Sequence, residues 1–188
     1  MKTLIFSLII TFSAVEVFSQ LKEVEDFSFI FMTDIHYQLK RGADKAFKMA
    51  IDTANQLEAD FVLTGGDLVY DVLRGNFKKS EALFNAYKEA VKGLNKPIYH
   101  CIGNHELFAV YEESPEDSTH VDYKYGMFER HFGATYYSFD HKGWHFIVLN
   151  SMDVRGKKYI GIIHEEQMEW LKKDLAKVDK STPIAITV

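Results

Sequence analysis

One cysteine and three prolines occur among the 188 residues, and both scarcities exclude something. Cys101 has no second cysteine to pair with, so neither an intrachain disulfide nor a cysteine-based zinc site can form. Inside its apolar run it reads as a small buried strand residue. Three prolines suggest no hinge, and no internal repeat, low-complexity tract or proline-rich linker divides the chain. A basic excess is also lacking: 22 Lys and Arg stand against 27 Asp and Glu, a formal net charge of −5. Without clustered Lys and Arg there is no electrostatic footprint for a nucleic acid. What is present is a globular composition, 47% hydrophobic and 26% charged. The length suits one α/β domain, or most of a larger one.

The N-terminus carries the longest apolar run. Lys2 precedes Leu4 to Val17, and Ser19 offers a small residue at a cleavage point before Gln20. The run falls short of the ~20 residues a membrane span needs, and charge resumes at Lys22 and Glu23. Residues 1–19 therefore read as a secretory signal peptide and residues 20–188 as the exported domain, periplasmic or extracellular. A short anchor that stays attached is the alternative. No stable membrane span is expected, and no cysteine near the cleavage point invites a lipid.

Beyond the leader, apolar runs alternate with helical patterns. Phe27 to Thr33 reads as a fully buried strand ending in Asp34-Ile35-His36. Ala43 to Leu57 places Phe47, Ala50, Ile51, Ala54 and Leu57 at helical spacing. Phe61 to Thr64 is a second strand, ending in Gly65-Gly66-Asp67. A helix from about Lys78 to Lys92 carries Leu83, Tyr87, Ala90 and Leu94 on one stripe, with Gly93 as its stop. Pro97 to Ile102 is a third strand, ending in Gly103-Asn104-His105-Glu106. This run of βαβ units predicts a parallel sheet with right-handed crossovers, whose functional loops lie beyond the carboxyl ends of the strands. Asp34, His36, Asp67, Asn104 and His105 then share one edge.

The connection Glu106–Gly133 is acidic and aromatic, and reads either as a lid or substrate wall or as a solvated excursion. Tyr136–Phe139 and Trp144–Leu149 predict two adjacent strands joined at His141-Lys142-Gly143. His145 alternates there with large apolar neighbours and reads as a satisfied sheet histidine. A helix from about Glu165 to Val178 shows Met168, Leu171, Leu175 and Val178 on one face, and Pro183 to Val188 begins another buried strand.

Carboxylates, imidazoles and a carboxamide oxygen without thiolates suit Fe, Mn or Zn at a hydrolytic centre. Asp67, on the central of three loops, is the candidate to bridge two cations, which would clamp the entering and leaving oxygens of a phosphoryl transfer. His105 is placed to donate a proton to a leaving alkoxide or to steady a phosphoryl oxygen. Glu106 could orient that imidazole.

Asp34-x-His36, Gly66-Asp67 and Gly103-Asn104-His105-Glu106, in this order, resemble the first three signatures of the calcineurin-like metallophosphoesterases. The later stretches YYSFD, WHFIVLNS and EEQMEWLKKDL extend the likeness over about residues 27–188. The resemblance implies an α/β fold, the αββα sandwich of the metallo-dependent phosphatases. It also implies a dinuclear centre of divalent or trivalent ions that hydrolyses a phosphomonoester or phosphodiester by attack of metal-bound hydroxide, with a small phosphorylated substrate as partner. Asp34 and His36 would bind the first metal, Asp67 would bridge, Asn104 would bind the second, and His105 would be the proton donor.

Two departures stand out. The family completes its site with three more histidines on later loops, whereas this chain ends at Val188, before the first of those loops is expected. His120, His131, His141, His145 and His164 all precede that position. The expectation is a chain lacking the C-terminal part of the fold, with a weakly binding site. Second, Gly66-Asp67-Leu68-Val69-Tyr70 matches the Gly-Asp-x-x-Tyr pattern of purple acid phosphatases, in which the tyrosine binds ferric iron. Those enzymes usually carry glycine at the position of His36, so Tyr70 is expected to be a wall residue. A purple-type iron enzyme, a non-catalytic binding protein that keeps the fold, and a nuclease of the same fold are the other readings.

Overall fold

The computed structural model describes residues 25–188; the expected leader at residues 1–19 lies outside them. The first half folds as the alternation predicts. Strand β1 (Phe29–Met32), helix α1 (Ala43–Gln56), strand β2 (Phe61–Thr64), helix α2 (Phe77–Val91) and strand β3 (Ile98–Tyr99) form a parallel sheet in the order β1-β2-β3. Helix α1 buries Phe47, Ile51 and Ala54, while Ala50 and Leu57 face solvent. Helix α2 starts at Asn76, whose side chain accepts the Lys79 amide at 2.9 Å, as an N-cap asparagine should. Its buried stripe is Ser80, Phe84 and Tyr87. That stripe is rotated from the predicted one, which included Leu83 and omitted Phe84.

The second half starts with a short helix α3 (Gly126–Phe132) and continues as a hairpin of β4 (Tyr137–His141) and β5 (Trp144–Val148). Lys142 and Gly143 make the turn, both at positive φ (44° and 83°), the conformation that a tight two-residue hairpin requires. Strand β8 (Ile184–Thr187) joins β5 in parallel after helix α4 (Glu165–Leu175). A separate hairpin, β6 (Met152–Arg155) with β7 (Lys158–Gly161), was not predicted.

Two sheets thus face each other through an aromatic layer. Phe61 and Leu63 of β2 meet Phe146 and Val148 of β5, with the Phe61 and Phe146 rings crossing at 5.3 Å and 88°. Edge-to-face pairs of this kind add to the area they bury. On the far side of the first sheet, α1 and α2 enclose a second core with Leu68, Val69, Leu73 and Ile102. Helix α4 covers the second sheet, where Trp170 meets Tyr136 and Asp174 bonds Ser138 and His145. The result is the layered αββα arrangement of metallo-dependent phosphatases. Among the described residues no helix is long and apolar enough to cross a membrane.

Several expectations need correction. Strands β1 and β8 were predicted to be fully buried, yet Phe31 is 54% exposed and Ile186 56%. Each lies at the edge of its three-stranded sheet and pairs on one side only among the described residues. Strand β3 keeps two paired residues of the predicted six, since the Cys101 amide donates to the Thr64 hydroxyl at 2.9 Å instead of to a strand carbonyl. The 106–133 connection is not a solvated excursion throughout. Leu107, Phe108, Ala109, Val110, Met127 and Phe128 are core residues, while the middle of the segment and Glu129, Arg130 and Gly133 face solvent. Helix α4 ends at Leu175, short of Val178.

His145 behaves as predicted for a satisfied sheet histidine. Its Nδ1 lies 2.7 Å from Asp140 and its Nε2 2.9 Å from Asp174, so both nitrogens meet an acceptor. Burial opposes the charged form, but the two aspartates outweigh it and hold the imidazole above its ordinary value. A histidine raised on folding stabilises fully below its unfolded pKa of about 6.5, and that contribution is lost as the pH rises through the folded value. The melting temperature is therefore expected to fall as the pH is raised from about 6 to 9, with a shallower fall in His145→Gln. Identical slopes in the two proteins would refute this.

Candidate metal centre

The loops after β1, β2 and β3 are laced together by their backbones. The Asp34 amide donates to the Gly66 carbonyl, His36 to Asp67 at 2.9 Å, and Tyr37 to Leu68 at 2.9 Å. The Val72 amide donates in turn to the His105 carbonyl at 3.2 Å. Asp34, His36, Asp67 and Asp71 all take positive φ, between 45° and 53°, a region that costs about 1–2 kcal/mol for residues other than glycine. Two glycines permit the close approach. A Cβ on Gly66, itself at φ 93°, would stand 2.8 Å from the Gly103 Cα. A Cβ on Gly103 would stand 2.3 Å from both the amide nitrogen and Oδ1 of Asp67.

The lacing brings His36, Asp67 and His105 together, with one ligand atom of each within 4.8 Å of the others. His36 Nε2 lies 3.8 Å from Asp34 Oδ1 and 3.8 Å from Asp67 Oδ2. Those separations are too long for hydrogen bonds. They do suit donors that share a cation, since two atoms each ~2.1 Å from one ion stand at most ~4.2 Å apart. The oxygen and imidazole donor set fits Fe, Mn or Zn. Asp34 is the most open of the group, its Oδ2 taking the Thr33 hydroxyl at 2.8 Å. Asn104 opens the short 3₁₀ turn Asn104–Glu106, one residue before His105.

His105 is fixed from three sides. Its backbone amide donates to Asp67 Oδ1 at 3.1 Å, its carbonyl accepts from Val72, and its Nδ1 accepts from the Asp71 amide at 3.0 Å. The neutral ring must therefore carry its hydrogen on Nε2. Desolvation, helped by the neighbouring His36, holds the imidazole below its ordinary value, against the pull of Asp67 and Asp71. The His36 and His105 rings meet edge to face at 4.5 Å. Tyr70 stands beside both, its ring 6.4 Å from His36 and 6.1 Å from His105, and it is 45% exposed.

Glu106 does not support His105, contrary to the sequence reading. Its Oε2 accepts the amides of Asp67 (3.1 Å) and Gly103 (2.8 Å), and its Oε1 accepts the amide of Val69 (3.0 Å). The side chain is fully buried. Burial pushes its carboxyl up to about 8, against these amides, which favour the charged form. Glu106 is thus the staple between the second and third loops.

What orients His105 is Asp71, which the sequence reading passed over. Arg74 holds the Asp71 carboxylate at 3.0 and 3.1 Å, reaches Glu113 at 3.3 Å, and lies 4.3 Å over the Tyr111 ring. The remaining histidines stand apart from the triad among the described residues. His141 pairs with Asp60, His131 with Glu81, and His164 with Asp153.

Comparison with known proteins identifies the family. A sequence model of the family described as calcineurin-like phosphoesterase matches residues 27–187. Purple acid phosphatase 15 of Arabidopsis thaliana is 36% identical over 86 residues, 45% of this chain and 15% of that protein. The match thus spans less than a sixth of that relative's length. The crystal structure of a dimetal phosphatase from Danio rerio superposes with a TM-score of 0.60 at 15% identity, covering 86% of this chain and 68% of that one. At that identity the likeness is one of fold. With the family match running through all three strand-end loops, the chain belongs to the calcineurin-like phosphoesterases.

Proposed function

We propose that the protein is an exported phosphoesterase that uses two metal ions to hydrolyse a small phosphomonoester or phosphodiester. The observation that carries this reading is the convergence of His36 Nε2 on two carboxylates at 3.8 Å, beside His105, from three successive strand ends. Export rests on the apolar run at residues 4–17.

In this reading Asp34 and His36 would hold one cation, Asn104 would hold a second, and Asp67 would serve both. Bound cations would supply Lewis acidity, activating water and neutralising phosphoryl charge. His105 presents Nε2–H to a phosphoryl or leaving oxygen. Its Nδ1 is already committed to the Asp71 amide, so a second ring proton would cost that hydrogen bond. Of the two roles open from sequence, steadying an oxygen is therefore the better supported. The Asp71–Arg74 pair keeps the ring in register.

Exhaustive chelation of the purified protein is expected to abolish hydrolysis of an aryl phosphate, and Mn, Zn or Fe to restore it. Turnover that survives chelation would overturn the reading. The purple-type alternative draws on the likeness to the Arabidopsis enzyme and on Tyr70 beside His36. It requires an intense visible charge-transfer band in the iron-loaded protein that disappears in Tyr70→Phe.

A further inference from the structure

Next to the candidate centre lies a pocket of about 450 Å³ whose walls include Leu39, Tyr70, Val72, Ala82 and Leu83. Its volume falls within the range of ligand sites. Two residues tie it to the centre. Asp71, on its wall, donates its amide to His105 Nδ1, and the Tyr70 ring stands 6.1 Å from the His105 ring. The exposed Lys40 and Lys79 line it as well. Two other cavities are tied to the centre less directly or not at all. One lies against His145 and Asp174 on the second sheet, and another is lined by Arg74, Glu112, Glu113, Lys157 and Lys158.

We propose that this pocket receives the alcohol portion of the substrate, and that the preferred substrates are phosphate esters of apolar, above all aromatic, alcohols. The inference rests on the phosphoesterase reading above and adds the substrate class. An ester whose phosphoryl oxygen meets His105 Nε2–H must send its alcohol past one side of the histidine pair, and Tyr70 opens onto this pocket. The ring of Tyr70, with Leu39, Val72, Ala82 and Leu83, offers apolar and aromatic contact. Gln38, Asp71 and Ser80 line it too, so a sugar or glycerol group finds polar partners there but forgoes the apolar contact that an aromatic alcohol gains.

Ala82 is a solvent-exposed position of α2, so a larger side chain there fills the pocket without entering the core. For Ala82→Phe, the ratio of kcat/KM for 2-naphthyl phosphate to that for glycerol phosphate is expected to fall about tenfold or more from the wild-type value. The drop should come mainly through KM for the aromatic ester. A ratio within twofold of wild type overturns the proposal. Binding supplies a second arm that needs no turnover. Fluorescence titration with the non-hydrolysable 2-naphthylmethylphosphonate should show at least tenfold weaker binding in Ala82→Phe, and equal affinities again overturn the proposal. Should chelation leave hydrolysis untouched, the metal reading fails on that result, while the phosphonate titration still decides the pocket.

Discussion

Asp67→Asn is expected to reduce metal-dependent hydrolysis by more than about 10²-fold while leaving the fold intact. The two oxygens of Asp67 have separate duties. Oδ1 accepts the His105 amide at 3.1 Å, and Oδ2 faces His36 Nε2 at 3.8 Å. Asparagine keeps the shape and retains an oxygen for the His105 amide. It places an NH₂ where a cation or His36 would meet a carboxylate, and it removes the negative charge. Loss of groups that merely support metal ligands already costs 10–100-fold in such sites, so loss of the shared carboxylate should cost more. Melting temperature, bound-metal stoichiometry and aryl phosphate turnover should be measured on the same preparation. Undiminished turnover would remove Asp67 from the proposed centre.

The largest expected effect on stability belongs to Glu106→Ala, about 3–5 kcal/mol. The carboxylate is fully buried and accepts three amides, from Asp67, Val69 and Gly103. Alanine leaves all three donors without an acceptor in a site closed to water, and each orphaned buried group costs about 1–3 kcal/mol. Part of that is recovered by local relaxation. Activity should fall with stability, since the same amides set the approach of the second loop to the third. Denaturant unfolding at fixed pH gives the difference directly. A loss below about 1 kcal/mol would mean that the staple is dispensable.

The contrast between these two residues shows where the sequence was legible. Asp67 could be found because a strand pattern, a glycine pair and a carboxylate come in immediate succession, and the topology of βαβ units places such ends together. The role of Glu106 could not be read, since its partners are backbone amides of residues 3 to 39 positions away, and an amide leaves no letter in a sequence. Asp71 escaped for the same reason, acting on His105 through its own N–H. Exposure was misjudged at Phe31 and Ile186 because an apolar strand reads alike at the centre and the edge of a sheet. Phe84 was missed by the small error in helix phase that shifted its stripe. The β6–β7 hairpin, with Gly156 at φ 63° in its turn, was a turn signal left unused.

The backbone of His36, at φ 45°, carries one more consequence. Left-handed geometry at this position is what a glycine adopts without cost, so the main chain here is already shaped for the residue that purple-type sequences carry. Exchanging histidine for glycine at this point would keep the backbone conformation of the loop and remove only the imidazole. Tyr70, with its ring 6.4 Å from that of His36, would then stand beside a vacated position.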